Sequence, residues 1–324
     1  MCRHLAYLGP PATLRSVLID PPHGLYRQAW APRLMRHGTV NADGFGVGWY
    51  ADGDPTPARY RRAVPIWADE SLPDIARVTR SAAVLAAVRN ATAGMAAAEQ
   101  AAAPFTSGRW LFSHNGVLAG WPASAVPVAG AAGAGAATLL SLEAMVDSAF
   151  LWALALDRLR AGRSMAAALT ETIAGIEAAG AAGRFNFLLT DGQSIAATAC
   201  GDTLWYRRSN GSVVVASEPG DDEPGWAEVP DRQVLTATPA LVSLRPLTAE
   251  TGVARADGSG ARRAGVVLAG TANGAATGTA RHPLDAPAGS ALAPNTPSSN
   301  ALSPNALSPN APTMTSAPKG SVTR

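Results

Sequence analysis

Large apolar residues recur in strand-like and helix-like patterns up to about residue 250, then nearly vanish from about Arg255 onward. Whatever folds must therefore be built before that break, because a chain with little to bury cannot offset the entropy of ordering itself. After the break Gly, Ala, Ser, Thr, Pro and Asn dominate, and NALSPNALSPNAP is a short tandem repeat. These features predict a folded domain over residues 2–250 and a low-complexity, disordered tail over 251–324.

Within the folded part the order of elements narrows the architecture. The first half carries short apolar or aromatic runs punctuated by Gly and Pro: RHLAYLG after Cys2, GFGVGWY to Tyr50, AAVLAAVR to Arg89 and RWLFSHNG to Gly116. A helix is predicted from about Leu139 to Arg160, with Leu142, Met145, Val146, Ala149, Phe150 and Ala153 forming one apolar face. Gly162 ends it, and a second helix runs from Ser164, a fitting N-cap, to about Ala179. Strands then resume in FNFLLTD, SIAATAC, TLWYRR, SVVVAS, QVLTAT and LVSLRPL, with Asp191-Gly192 and Asn210-Gly211 as hairpin turns. Strands, two antiparallel helices and strands again predict a layered α+β domain with mostly antiparallel sheets. No glycine-rich phosphate loop opens a helix after a strand, so nucleotide use is not expected.

Charge and cysteine content exclude other classes. The formal net charge is +2 with no Lys/Arg run, which is too mild and too dispersed for nucleic acid. No 18-residue apolar run suggests a membrane span, and no secretory pattern opens the chain. Cys2 and Cys200 are the two cysteines, too few for a disulfide framework, so the expectation is two free thiols in a reducing cytosol. Cys200 falls in an apolar strand pattern and reads as inert core. No metal-ligand spacing is present, and neither a metal nor another cofactor is expected.

Cys2 invites a chemical reading. At neutral pH only roughly a few per cent of an ordinary thiol is ionised, so a nucleophilic cysteine needs a base. Once Met1 is removed, the α-amine of Cys2 itself titrates near neutrality and lies within reach of the thiol, directly or through one water. One residue then supplies nucleophile and base. The alternative is an inert second residue of a strand.

Other motifs weigh on that choice. SHNGVL ends an apolar strand with Asn115-Gly116, where a side-chain amide beside a backbone N–H makes two donors for a developing oxyanion, although Asn-Gly alone also reads as a turn. VRNATAG places Arg89 and Thr92 at another strand end, where a guanidinium can grip a carboxylate bidentately and a hydroxyl can assist; a solvated strand-end arginine is the plainer reading. His114 is expected to be a strand residue that orients Asn115.

Cys2, Arg89-x-x-Thr92-x-Gly94, His114-Asn115-Gly116 and the Asn41-x-Asp43-Gly44 turn stand in the order found in class II glutamine amidotransferase domains, which the chain resembles over about residues 2–250. The resemblance implies an αββα sandwich of the N-terminal nucleophile hydrolase type. It implies Cys2 as nucleophile, Asn115 and Gly116 as oxyanion hole, and Arg89 with Thr92 on the α-carboxylate of a glutamyl substrate. The family also holds the substrate ammonium with an aspartate at the start of the following helix. Asp147 matches it, with Ala149 where the family often carries Glu, and its place off the apolar face also suits a solvated helix residue.

With no synthase domain visible after residue 250, the resemblance implies a free-standing hydrolase of a small-molecule γ-glutamyl amide. MCRHLAYLGPP, PPHGLYRQAWAPR, VNADGFGVGWY and VVASEPGDDEPGW are most similar to the γ-glutamyl hydrolase family of ergothioneine biosynthesis. A γ-glutamyl dipeptide or glutathione hydrolase, a glutaminase subunit and a silent glutamyl-binding subunit are the alternatives. Homo-oligomerisation is left open by the sequence.

Overall fold

The alternation in RHLAYLG already dictates two buried faces. In the structure, a computed structural model that describes residues 2–91 and 98–248, this run is β1 (Arg3–Thr13). Leu5 and Tyr7 face one apolar cluster and Ala6 and Leu8 another, as a period of two residues requires. A strand buried on both sides must be sandwiched, and the remaining elements do the sandwiching.

The strands that follow are β2 (Phe45–Trp49), β3 (Ala58–Arg62), β4 (Arg80–Val88), β5 (Phe105–Ser107), β6 (Trp110–Leu118) and β7 (Gly183–Thr190). They continue with β8 (Ile195–Ala199), β9 (Trp205–Ser209), β10 (Ser212–Ala216), β11 (Ala227–Glu228), β12 (Gln233–Ala237) and β13 (Val242–Pro246). One sheet has the order β11-β9-β10-β1-β4-β2-β3 and the other β13-β12-β8-β7-β6-β5, with the paired strands antiparallel. Between the sheets lie Ala6, Leu8, Leu85, Leu111, Leu188 and Leu235. The outer face of the first sheet packs on α1 (Leu14–Leu18), α2 (Leu25–Gln28) and α3 (Leu72–Val78). The outer face of the second is covered from the helices α4 (Ala125–Ala132), α6 (Asp147–Arg160) and α7 (Met165–Ala178), through residues such as Phe150, Leu154, Leu169 and Ile173 on Phe112, Phe187 and Leu189, while α5 (Ala136–Leu140) packs on α6. Four layers result, helix–sheet–sheet–helix, which is the expected αββα sandwich.

Local signals account for much of this. Ser164 caps α7 by accepting from the Ala167 N–H at 3.3 Å. Asn210 and Gly211 both adopt positive φ, 50° and 71°, as a two-residue turn between β9 and β10 requires. The helix expected to run unbroken from Leu139 to Arg160 is instead two helices. α5 stops at Leu140, Met145 is exposed, and Val146 is extended (φ −133°, ψ 151°). The segment between is pulled away by Glu143, whose carboxylate pairs with both Arg59 and Arg61 of β3 at 3.1 Å. That pairing also explains why β3 escaped the apolar pattern: ARYRR is an edge strand whose arginines face polar partners. The tail expected over 251–324 lies outside the described residues.

Candidate active site

The position of Cys2 follows from strand register. In the antiparallel pair of β1 and β4, Arg3 stands opposite Val88, so Cys2 and Arg89 each lie one residue beyond the last pair, side by side at the sheet's end. β2 enters the same end: Phe45 also pairs with Val88, and the Arg89 N–H donates to the Gly44 carbonyl at 2.8 Å. Gly44 has φ +122°, a conformation glycine adopts without steric cost. Asp43 then folds back, its N–H donating to the Arg89 carbonyl at 2.9 Å and its carboxylate accepting from the Ala91 N–H at 2.8 Å. The Asn41-x-Asp43-Gly44 turn is thus the brace of the Arg89 strand end. Asn41 is itself buried and donates to the Gln28 carbonyl at 3.1 Å.

A small cavity brings Cys2 and Arg89 together with His114, Ser148 and Phe105. Cys2 is half-buried and Arg89 is buried, its Nη1 donating to the Asp43 carbonyl at 3.3 Å. Thr92 and Gly94 lie outside the described residues.

The second sheet supplies the facing wall. His4 and Ser113 meet across the sandwich at 3.2 Å, Nδ1 to Oγ. Two residues from each of them lie Cys2 and Asn115. Asn115 sits in β6 opposite Asn186 of β7 and is fully buried. Its Nδ2 and Oδ1 have no hydrogen-bond partner among the described residues. Asn186, by contrast, is saturated: it donates to the Asp202 and Thr203 carbonyls and accepts from the Cys200 and Asp202 N–H groups. A buried amide without partners costs free energy, and of these two cross-strand asparagines it is Asn115 that carries that cost. At Gly116 an added Cβ would overlap the Arg184 carbonyl oxygen and the His114 ring, so the close approach of β6 and β7 admits only glycine.

His114 does not orient Asn115 by a side-chain hydrogen bond, contrary to the sequence expectation. Its Nε2 lies 2.9 Å from the Arg184 carbonyl, which can only accept, so the proton is on Nε2. Nδ1 is then the acceptor for the Ser148 hydroxyl at 3.0 Å. Burial pushes the His114 pKa down, so the ring is neutral, and its one lone pair is already used. It is no base for the thiol.

Asp147 is buried rather than solvated. One carboxylate oxygen accepts from the Leu118 N–H at 2.9 Å and the other from the Ser148 N–H at 2.8 Å. Asn115, Gly116 and Asp147 do not themselves line the cavity; they flank His114 and Ser148, which do. Ser148 was missed in the sequence, where its adjacency to Asp147 is the one available signal. Arg3 was missed as well. It is fully buried beside Cys2, and burial lowers its pKa against the opposing fields of Glu218 and Asp202. Cys200 is buried, as expected, with its pKa raised by burial and Arg232 Nη1 3.4 Å from its sulfur.

The fold and site define a class. Residues 28–211 match the class-II glutamine amidotransferases, and the chain belongs to that family. Within it, the chain is 42% identical over 247 residues to the gamma-glutamyl-hercynylcysteine sulfoxide hydrolase of Mycolicibacterium smegmatis, a match covering 76% of this chain and 100% of that one. The protein of the same name from Mycobacterium tuberculosis is 42% identical over 251 residues, covering 76% and 97%. A solved glutamine aminotransferase class-II domain protein from Silicibacter pomeroyi is 26% identical, with a TM-score of 0.55 over 76% of this chain and 100% of that one. Glutamine phosphoribosylpyrophosphate amidotransferase from B. subtilis shares the fold at 15% identity, with a TM-score of 0.52 over 76% of this chain and 49% of that one. No helix among the described residues is long and apolar enough to cross a membrane.

Proposed function

We propose that this protein hydrolyses the γ-glutamyl amide bond of γ-glutamyl-hercynylcysteine sulfoxide, releasing glutamate and hercynylcysteine sulfoxide, as a step of ergothioneine biosynthesis in the cytosol. The observation that carries the chemistry is the shared cavity of Cys2 and Arg89, a nucleophile beside a carboxylate clamp. The substrate reading is supported by 42% identity to hydrolases of that name over 97–100% of their length. The catalytic domain is residues 2–250.

In this reading Arg89 grips the α-carboxylate of the glutamyl group, the Thr92 hydroxyl assists, and Asp147 attracts the α-ammonium. The α-amine of Cys2, free after Met1 is removed, takes the thiol proton as sulfur attacks the γ-carbonyl carbon. The carbonyl electrons move onto oxygen, where the Asn115 amide and the Gly116 N–H stabilise the charge. The tetrahedral intermediate collapses, the C–N bond breaks, and the amine base returns its proton to the leaving nitrogen. Water, deprotonated by the same amine, then attacks the thioester, which releases glutamate and restores the thiol. The amide of Asn115 has no partner among the described residues, which supports the oxyanion role, because it makes a new bond there without breaking an old one.

The test is a panel of γ-glutamyl amides, with Cys2→Ala as control and mass spectrometry of the N-terminus. We expect the hercynyl substrate to be preferred, the Cys2→Ala protein to be inactive, and Met1 to be absent. Equal turnover of glutathione would overturn the substrate, and unimpaired hydrolysis by Cys2→Ala would overturn the nucleophile.

A further inference from the structure

Ser148 lines the same cavity as Cys2 and Arg89, and the direction of its hydroxyl is fixed from behind. The Arg184 carbonyl takes the proton of His114 Nε2 at 2.9 Å, which leaves Nδ1 as a lone pair 3.0 Å from Ser148 Oγ. The hydroxyl's one proton therefore lies between those two atoms. Turned instead toward Asp147 Oδ1, 3.4 Å away, it would leave two lone pairs facing each other at 3.0 Å. That carboxylate oxygen is already supplied by the Ser148 N–H at 2.8 Å. With its proton committed to His114, Ser148 Oγ has only lone pairs to offer the cavity. It is an acceptor.

No other described side chain of the cavity wall is free for that part. Five of the nine lining residues are Ala, Val or Phe, Arg89 has donors only, and His114 has no lone pair left. Cys2 is the nucleophile of the proposed reaction. Asp147 does not line the cavity, and its two oxygens hold the Leu118 and Ser148 N–H groups. Its carboxylate stands directly behind Ser148 Oγ, where its field favours a cation on the cavity side.

We propose that Ser148 binds the α-ammonium of the glutamyl group directly, its oxygen accepting one ammonium N–H while Asp147 supplies the charge from behind. The proposal rests on the glutamyl reading above. The α-ammonium and α-carboxylate share one carbon, so a carboxylate held by Arg89 brings the ammonium to another wall of the same small cavity. Ser148 is thus a substrate-binding residue, and Arg184 and His114 are the groups that hold its hydroxyl in the accepting direction.

The experiment takes the γ-glutamyl amide that the panel above turns over best. Its kcat/KM is compared with that of the glutaryl amide of the same amine, which lacks only the α-ammonium. Inhibition constants for glutamate and glutarate give the same comparison without turnover. Wild type, Ser148→Ala, Ser148→Cys and Ser148→Thr are measured, each with its Tm. The wild type is expected to prefer the glutamyl compound strongly. Ser148→Ala should lower that preference about tenfold to a hundredfold, the factor that a hydrogen bond to a charged group carries, chiefly through KM. Ser148→Thr keeps the hydroxyl and should restore most of it. Ser148→Cys keeps the side chain's size with a weak acceptor and should behave as Ser148→Ala, so it carries the test if Ser148→Ala fails to fold. Loss of the His114 contact alone slows both substrates together and leaves the preference intact. A large wild-type preference that survives in the folded Ser148→Ala or Ser148→Cys protein overturns the role of Ser148 and leaves the glutamyl reading standing. A wild-type preference near one overturns glutamyl recognition, and the role of Ser148 with it.

Discussion

His4 Nδ1 and Ser113 Oγ lie 3.2 Å apart across the interior of the sandwich, tying the strand that follows Cys2 to the strand that carries Asn115. His4 is fully buried, and its pKa is pushed down to about 3 by desolvation first, then by the fields of Arg3 and His114. The folded state therefore holds His4 neutral at pH values where an unfolded chain binds the proton.

The sign of the resulting pH dependence is set by that difference. A folded pKa below the unfolded value of about 6.5 means that stability is full above pH 6.5 and declines as pH falls toward 3. One such site contributes a slope of up to about 1.4 kcal/mol per pH unit, and His114, shifted the same way, adds to it. Urea midpoints measured from pH 7 to 4 should fall steadily in the wild type and less steeply in His4→Gln. Equal slopes would remove His4 from the account.

Asp147 joins the start of α6 to the end of β6 through the Leu118 N–H. Asp147→Ala leaves that buried donor unpaired, at a cost of about 1–3 kcal/mol, so Tm should drop by several degrees. Asp147→Asn keeps an acceptor for one N–H but loses the charge. Its Tm should recover while KM for γ-glutamyl substrates stays raised; a KM that recovers together with Tm would leave Asp147 a structural role alone.

Asn115 should separate activity from stability. Because its amide has no partner among the described residues, Asn115→Ala removes a desolvated polar group and breaks no hydrogen bond. Thermal stability should be unchanged within about 0.5 kcal/mol or slightly raised, while kcat falls by about 10²–10³. A large fall in Tm with kcat preserved would contradict the oxyanion assignment.

Gly116→Ala should behave oppositely, with both properties lost. The added methyl meets the Arg184 carbonyl that also accepts from His114, so β6 must move away from β7. Overpacking of this kind costs about 1–3 kcal/mol or more, and the displacement reaches Asn115 directly. Circular dichroism melts and single-turnover hydrolysis, measured on the same preparation, read the two losses together.

The fold brings Cys2 and Arg89 into one cavity, with Asn115, Gly116 and Asp147 flanking the His114 and Ser148 of its wall, for a physical reason. Strand ends are marked locally, by glycine, asparagine and arginine after an apolar run, and it is strand ends that meet at one edge of a sandwich. Arg89 and Asn115 were legible in that way. Ser148 and Arg3 were not. The first acts through a ring 34 residues away in the chain, and the second reads as an ordinary charge until burial beside Cys2 is known. The unbroken helix from Leu139 was misread because periodicity cannot register Glu143 being drawn off by two arginines of a distant strand.

The sequence by itself determined the main strands, the helix pair between them, the hairpin turns, the layered α+β class and the thiol at position 2, since all of these are written in near-neighbour patterns of polarity and backbone freedom. Only the tertiary structure decided that Cys2 and Arg89 stand side by side and that His114 has no lone pair to spare. It alone decided that Asp147 is buried and that the amide of Asn115 has no partner among the described residues. Those facts depend on register and burial between strands far apart in the chain, and burial is what converts an unmade hydrogen bond from a trivial loss in water into a cost that a bound substrate relieves.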